Sequence, residues 1–284
     1  MISIQQETIP KAVNTEPTPA NKLLRKSAVL WLVVAFVGQW AFMYYLVAFY
    51  GQSIVVGDLE IWNRLEAVGA KPYIAGDAMG NFAFAMHALG ASIIAFGGAL
   101  QLIPAIRTKA PRFHRWNGRV FLLTVILLSV SGFYLVWVRD AASTSQIQGL
   151  STSFNGLLIL AFAWLAYLAI RARRIDSHRR WAMRLYLVAN AQWFLRIGMF
   201  TYFSISQMFG FGGTESFMLL WTFGCYLVPL AMLEVYFWTK SNGSTTAKSA
   251  VACTLVALAL LMCLGIFAFG MFSQLLISGA PLEF

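Results

Sequence analysis

Long apolar runs recur along the chain, separated by short polar stretches, and most reach the about 20 residues that a helix needs to cross a bilayer. They predict seven membrane spans, at 27–50, 81–103, 116–138, 153–170, 179–202, 216–238 and 249–277. The expected fold class is therefore all-α, a polytopic bundle of transmembrane helices filling residues 27–278. Residues 1–26 are polar, with Pro10, Pro17 and Pro19, and read as a disordered cytoplasmic tail. No small-residue cleavage site follows the first apolar run, so this is not a signal-peptide pattern. Residues 51–80 form the longest loop, mildly acidic, with a short amphipathic helix expected around Leu59–Val68. Pro104 closes the second span, Pro111 suits the start of the third helix, and Pro229 is expected to kink the sixth.

Composition agrees: 59% of the residues are hydrophobic and only 11% charged, against about 25% charged in soluble domains. The formal charge of +10 could suggest nucleic acid, but its placement argues against that partner. Of 21 Lys and Arg residues, only Arg64, Lys71, Arg139 and Arg196 fall on one side; the other 17 gather in the tail, in the loops after spans two, four and six, and at the adjoining helix ends. By the positive-inside rule the N-terminus is cytoplasmic and the C-terminus outside, which places the protein in a cell's inner (plasma) membrane. The partner this predicts first is the lipid bilayer. Trp31, Trp116, Trp137, Trp181 and Trp238 sit near span ends, as an aromatic belt does.

The candidate chemistry is sparse. The three cysteines, Cys225, Cys253 and Cys263, lie in apolar spans without CxxC spacing and read as packing or lipid-facing residues. His87, His114 and His178 are the only histidines. There is no HExxH, no GxGxxG, no paired intramembrane carboxylate, and no lysine in the seventh span for a retinal Schiff base.

Polar residues inside apolar spans carry most of the signal, because charge at membrane depth is expensive and normally faces a bundle interior. The stretch Ser177–Tyr202 is the richest. At about 100° per residue, His178, Arg184, Gln192 and Arg196 share roughly a third of one helical face, with Asn190 opposite. In the second span His87, Ala91, Ile94, Gly98 and Gln101 form one stripe, whose small residues allow close helix approach. Counting about 1.5 Å per residue, His87 and Arg196 lie about 9 Å from the outer face. With Gln192 and Gln39 they form an expected outer polar layer. On the inner side Arg184 and Glu234 are at matching depth and predict an ion pair, with Arg119 placed to share it. His114 and His178 stand at the cytoplasmic ends of spans three and five, each followed by an arginine, Arg115 and Arg179, and Gln101 completes this inner layer.

Taken together, a His in span two followed by GALQLIP, then PRFHRWNGRVFLL, then IDSHRRWAMRLY with a later Arg, then a Pro and Glu late in span six, resembles DUF2306, a family of predicted bacterial membrane proteins. The resemblance covers residues of about 80–238 and places His87, Gln101, His114, Arg115, Gly118, Arg119, His178, Arg179, Trp181, Arg184, Arg196 and Glu234 at the family's characteristic positions. It implies a multi-pass fold and no particular reaction.

Two functions remain open from the residues. One is a redox or ligand-binding module: haem b ligated by His114 and His178 with Arg115 and Arg179 at its propionates, or a quinone held by His87, Gln192 and Arg196. The other is a non-enzymatic accessory subunit of other membrane proteins, or a carrier for a small anionic or lipidic solute. His114 and His178 read equally as interfacial residues reaching lipid headgroups. No catalytic residue is assigned, and the sequence leaves open whether the protein is an enzyme.

Overall fold

The structure is a computed structural model, and it describes residues 18–68, 71–139 and 146–281. Helix α1 (Pro19–Leu46) runs through a π-helical turn (Val47–Gly51) into α2 (Gln52–Val56), and the three form one continuous apolar helix. Part of the expected tail is thus helical. Thr18 caps the helix by accepting from Asn21 N–H, and Pro19 at the first helical position has no N–H to leave unpaired. Residues 1–17 of that tail lie outside the described residues. The π turn shifts the register so that Phe49 and Tyr50, adjacent in sequence, are both buried.

A 3-10 helix covers Leu59–Val68, where the short amphipathic helix is expected. Then follow α3 (Ala78–Leu102), the short α4 (Pro104–Lys109), α5 (Pro111–Trp137), α6 (Gln146–Arg171), α7 (Ile175–Ala189), α8 (Ala191–Phe209), α9 (Thr214–Asn242) and α10 (Thr245–Ser278). Six helices among the described residues are long and apolar enough to cross a membrane: α1–α2, α3, α5, α6, α9 and α10. The fifth expected span differs, because it is two shorter helices meeting at Asn190. The Asn190 side chain donates to the Tyr186 carbonyl at 2.8 Å, the acceptor its own backbone N–H would use in an unbroken helix. That N–H turns instead to the Leu187 carbonyl at 3.2 Å, and the ladder stops. Pro229 lies inside α9, which runs on to Asn242.

Neighbouring helices close a ring: α1 packs on α3, α3 on α5, α5 on α6, α6 on α7, α8 on α10, and α10 back on α1. α9 lies outside it against α6, α7, α8 and α10. The broken pair α7–α8 is the most deeply held stretch, with Leu185, Tyr186, Leu187, Val188, Ala191, Trp193, Phe194 and Ile197 all buried. Large apolar residues such as Val37, Leu123, Leu220, Leu260 and Phe267 point outward, as a lipid-facing surface requires. Since lipid is as apolar as leucine, such helices associate through close packing and interhelical hydrogen bonds. Gly265 of α10 shows both. A Cβ there would run into the Ile197 carbonyl and Thr201, and the Thr201 hydroxyl bridges to the Leu261 carbonyl at 3.0 Å.

The end of the bundle that carries the 57–77 connection is tied down by polar contacts. Arg64 donates to the Leu276 carbonyl at 2.8 Å, capping the last turn of α10. Arg139, 3% exposed, donates to Asp77 at 2.7 Å and Asn81 at 2.6 Å, joining the end of α5 to the start of α3. Asp77 also accepts from Gly80 N–H at 2.8 Å as the N-cap of α3. The Gly80 amide and then Arg139 hold the Asp77 carboxyl below the usual carboxylate range. A depressed folded pKa stabilises the fold above the unfolded value of about 4, and that stabilisation is lost as pH falls through the lower folded value. Thermal unfolding followed by tryptophan fluorescence in detergent should therefore show a midpoint that drops below about pH 4. Asp77→Asn keeps the cap and should flatten that drop; an unchanged acid slope would clear Asp77.

Candidate functional site

Six helices wall a cavity of about 290 Å³ in the half of the bundle nearer the 57–77 connection. Phe42 and Tyr50 come from α1 and its π turn, His87 and Ile94 from α3, Ser129, Gly132 and Phe133 from α5, Gln148, Thr152 and Asn155 from α6, Ala189 from α7, and Gln192 and Arg196 from α8. Three residues of the expected outer layer, His87, Gln192 and Arg196, therefore meet on one cavity. The fourth, Gln39, does not. It is fully buried between α1 and α7, where its Oε1 accepts from the Tyr186 hydroxyl at 2.7 Å.

His87 is fixed in orientation. Its Nδ1 lies 3.0 Å from Ser131 Oγ, and the Ser131 hydroxyl itself donates to the Leu128 carbonyl at 3.2 Å. The serine has one proton for two acceptors in reach, so the contact fixes the position of the ring, and the tautomer decides which ring nitrogen donates. Gly132 makes room for the ring: a Cβ there would stand 3.4 Å from His87 Cε1.

Arg196 lies in the first turns of α8. Its Nη1 donates to the Gln192 carbonyl at 2.8 Å and to Gln192 Oε1 at 3.3 Å. Its guanidinium sits 5.4 Å from the centroid of the Phe42 ring. The other cations of this end have partners: Arg64 on α10 carbonyls, Arg139 on Asp77, Lys71 on Glu66 at 3.5 Å. No carboxylate of the described residues pairs with Arg196. A guanidinium in a cavity without a counter-anion is poised to receive one, or a strong oxygen acceptor.

At the opposite end the expected inner residues are held separately. His178 Nδ1 donates to the Ala166 carbonyl at 2.9 Å. His114 lies near enough to His178 for their charges to interact, and its buried Nδ1 has no hydrogen-bond partner. Gln101 donates to the His114 carbonyl at 3.0 Å. Arg115 is exposed, and Arg179 is exposed and paired with Asp176 at 3.4 Å. Among the described residues no group of three or more His, Cys, Asp or Glu side chains could hold a metal ion.

Arg184 and Glu234 form a two-pronged ion pair, 2.6 and 2.8 Å, between α7 and α9, with Arg184 also 4.5 Å from the Trp181 ring centroid. Arg119 does not join them and lies over Trp116. The pair is partly exposed, so each single alanine variant should cost about 1 kcal/mol. The double variant should cost less than the two singles together; additive losses would show that the pair does not couple.

Several wall residues escape a reading based on charge and histidine. Ser129 and Gly132 interrupt the apolar run of α5, and Thr152, Asn155 and Gly156 that of α6. Their clustering was a usable signal, since small and polar residues in two successive spans mark facing surfaces.

Ring, outward apolar surface and buried polar centre define a multi-pass α-helical membrane protein. The chain belongs to the DUF2306 family of predicted membrane proteins, which matches over residues 84–238. That match runs from α3 to α9 and includes His87, His114, His178, Arg184, Arg196 and Glu234. No curated protein and no solved structure matches the chain.

Proposed function

We propose that the chain is a membrane ligand-binding module whose cavity takes the oxygen-bearing ring of a quinone-class molecule. One observation carries the reading: His87, Gln192 and the carboxylate-free Arg196 converge on a single 290 Å³ cavity with aromatic walls. An apolar cavity of about 150 Å³ holds benzene, so this one has room for a substituted ring. The ring lies against Phe42, Phe84 and Phe133, and a ligand oxygen accepts from Arg196 and Gln192. In this reading α7 and α8 together make a seventh crossing, with the N-terminus cytoplasmic and the C-terminus outside.

Isothermal titration of the detergent-purified protein with a short-chain benzoquinone tests the proposal. One binding site per chain is the expected result. Saturable binding of benzoate with none of the quinone would overturn it in favour of a carrier for small anions.

A second reading has its own observation. With His178 Nδ1 anchored on the Ala166 carbonyl, Nε2 is presented as a ligating atom, the arrangement a metal-bound histidine adopts. His178 and the neighbouring His114 would hold a b-type haem, which supplies one-electron chemistry when bound, with Arg115 and Arg179 near its propionates. A dithionite-reduced minus oxidised spectrum with a sharp α-band that His178→Ala abolishes is the expected result. A flat spectrum from protein purified with haem supplied would sink this reading.

A further inference from the structure

We infer that the cavity selects the hydroxyl-bearing, reduced form of its ligand over the carbonyl form; this rests on the quinone-class reading above. The argument is an inventory of donors and acceptors along the wall. Asn155 Nδ2 donates to the Val188 carbonyl at 3.2 Å. A carbonyl can only accept, so the amide cannot be turned round, and Oδ1 faces away from Val188. That oxygen is a buried acceptor without a partner, on a residue 8% exposed in the cavity wall. Ser129 commits its hydroxyl proton to the Val125 carbonyl at 2.8 Å, so toward the cavity it too has only lone pairs.

The donors stand opposite, on α8. Arg196 has N–H groups beyond those bound to Gln192, and Gln192, with Oε1 engaged by Arg196, presents its amide N–H groups. A molecule bearing only carbonyl oxygens satisfies α8 and leaves the buried acceptor of α6 and the lone pairs of Ser129 on α5 unpaired. A phenolic hydroxyl satisfies both sides, since it donates to Asn155 Oδ1 while its oxygen accepts from Arg196. Leaving a built acceptor unpaired is what allows a site to reject an analogue that lacks one hydroxyl. No electron transfer is implied; the selection is one of binding.

The test compares a short-chain benzoquinone with its hydroquinone of the same carbon skeleton, titrated under argon into the detergent-purified full chain. The hydroquinone should bind about 10-fold or more tightly, the effect of one buried hydrogen bond made or missed. Asn155→Ala, checked for an unchanged elution profile and circular dichroism, should shrink the preference to about 3-fold or less. Equal affinities, or a preference for the quinone, would overturn the inference while the cavity reading stands. Failure of both molecules to bind would overturn the cavity reading and the inference with it. An undiminished preference in folded Asn155→Ala would overturn the role given to that acceptor.

Discussion

Arg196→Ala is expected to weaken binding of a short-chain benzoquinone about 100-fold, the largest effect of any single change at the cavity. A hydrogen bond from a charged donor contributes about 1.5–3 kcal/mol, and about 1.4 kcal/mol is a factor of ten. The substitution also removes the group that orients Gln192, whose carbonyl and Oε1 both accept from Arg196. Arg196→Lys keeps the charge but loses the planar fork, and should fall between wild type and alanine, about 10-fold weaker. Stability should move little, because Arg196 has no carboxylate partner among the described residues to leave behind. Unaltered affinity in Arg196→Ala, by the same titration, would remove this residue from the site.

The second large effect is on the fold. Gly265→Leu should destabilise the bundle by about 3 kcal/mol, the upper part of the range for overpacking. The reason is what stands over the missing Cβ: a backbone carbonyl, Ile197, together with Thr201 Oγ1. A flexible side chain can give way, whereas a carbonyl inside α8 moves only with its helix. The Thr201 hydroxyl is shared between the Ile197 carbonyl of its own helix at 2.8 Å and the Leu261 carbonyl at 3.0 Å, so a larger residue at 265 also disturbs the interhelical half of that contact. Since α8 carries Arg196 and Gln192, ligand affinity should fall in parallel. Gly270, on the same helix, meets nothing within 4 Å of a built Cβ, so Gly270→Leu should leave both properties nearly unchanged. Thermal unfolding in detergent compares the two variants; equal midpoints would show that the seam is looser than described.

Much of the architecture is legible in the apolar runs, because length and charge placement are properties of single segments. The helix ends depend on local chemistry of a finer kind. Thr18–Pro19 starts a helix inside a stretch that composition marks as tail, and Asn190 breaks one inside a stretch that periodicity marks as continuous. That break separates Gln192 and Arg196, which reach the cavity from α8, from the α7 residues, where His178 and Arg184, about 120° apart on one helix, turn to α6 and to Glu234. Depth alone brings His87 and Arg196 to one level, with Gln192 and Gln39 somewhat deeper, since helices of similar length span a common thickness. Depth does not say which way a residue faces, and Gln39, of the same expected layer as Gln192, accepts from Tyr186. The acceptors Ser129 and Asn155 are uncharged residues in apolar runs, and their importance is set by which helices adjoin, which is a property of the ring.

The cavity claim is tested most directly by photoaffinity labelling. An azido-benzoquinone would be irradiated with the detergent-purified protein and the adducts located by mass spectrometry. Adducts confined to the wall, within 42–50, 84–94, 125–136, 148–159 and 189–196, and suppressed by excess unlabelled quinone, are the predicted result. Labelling spread over the lipid-facing residues of α9 and α10, undiminished by the competitor, would contradict it.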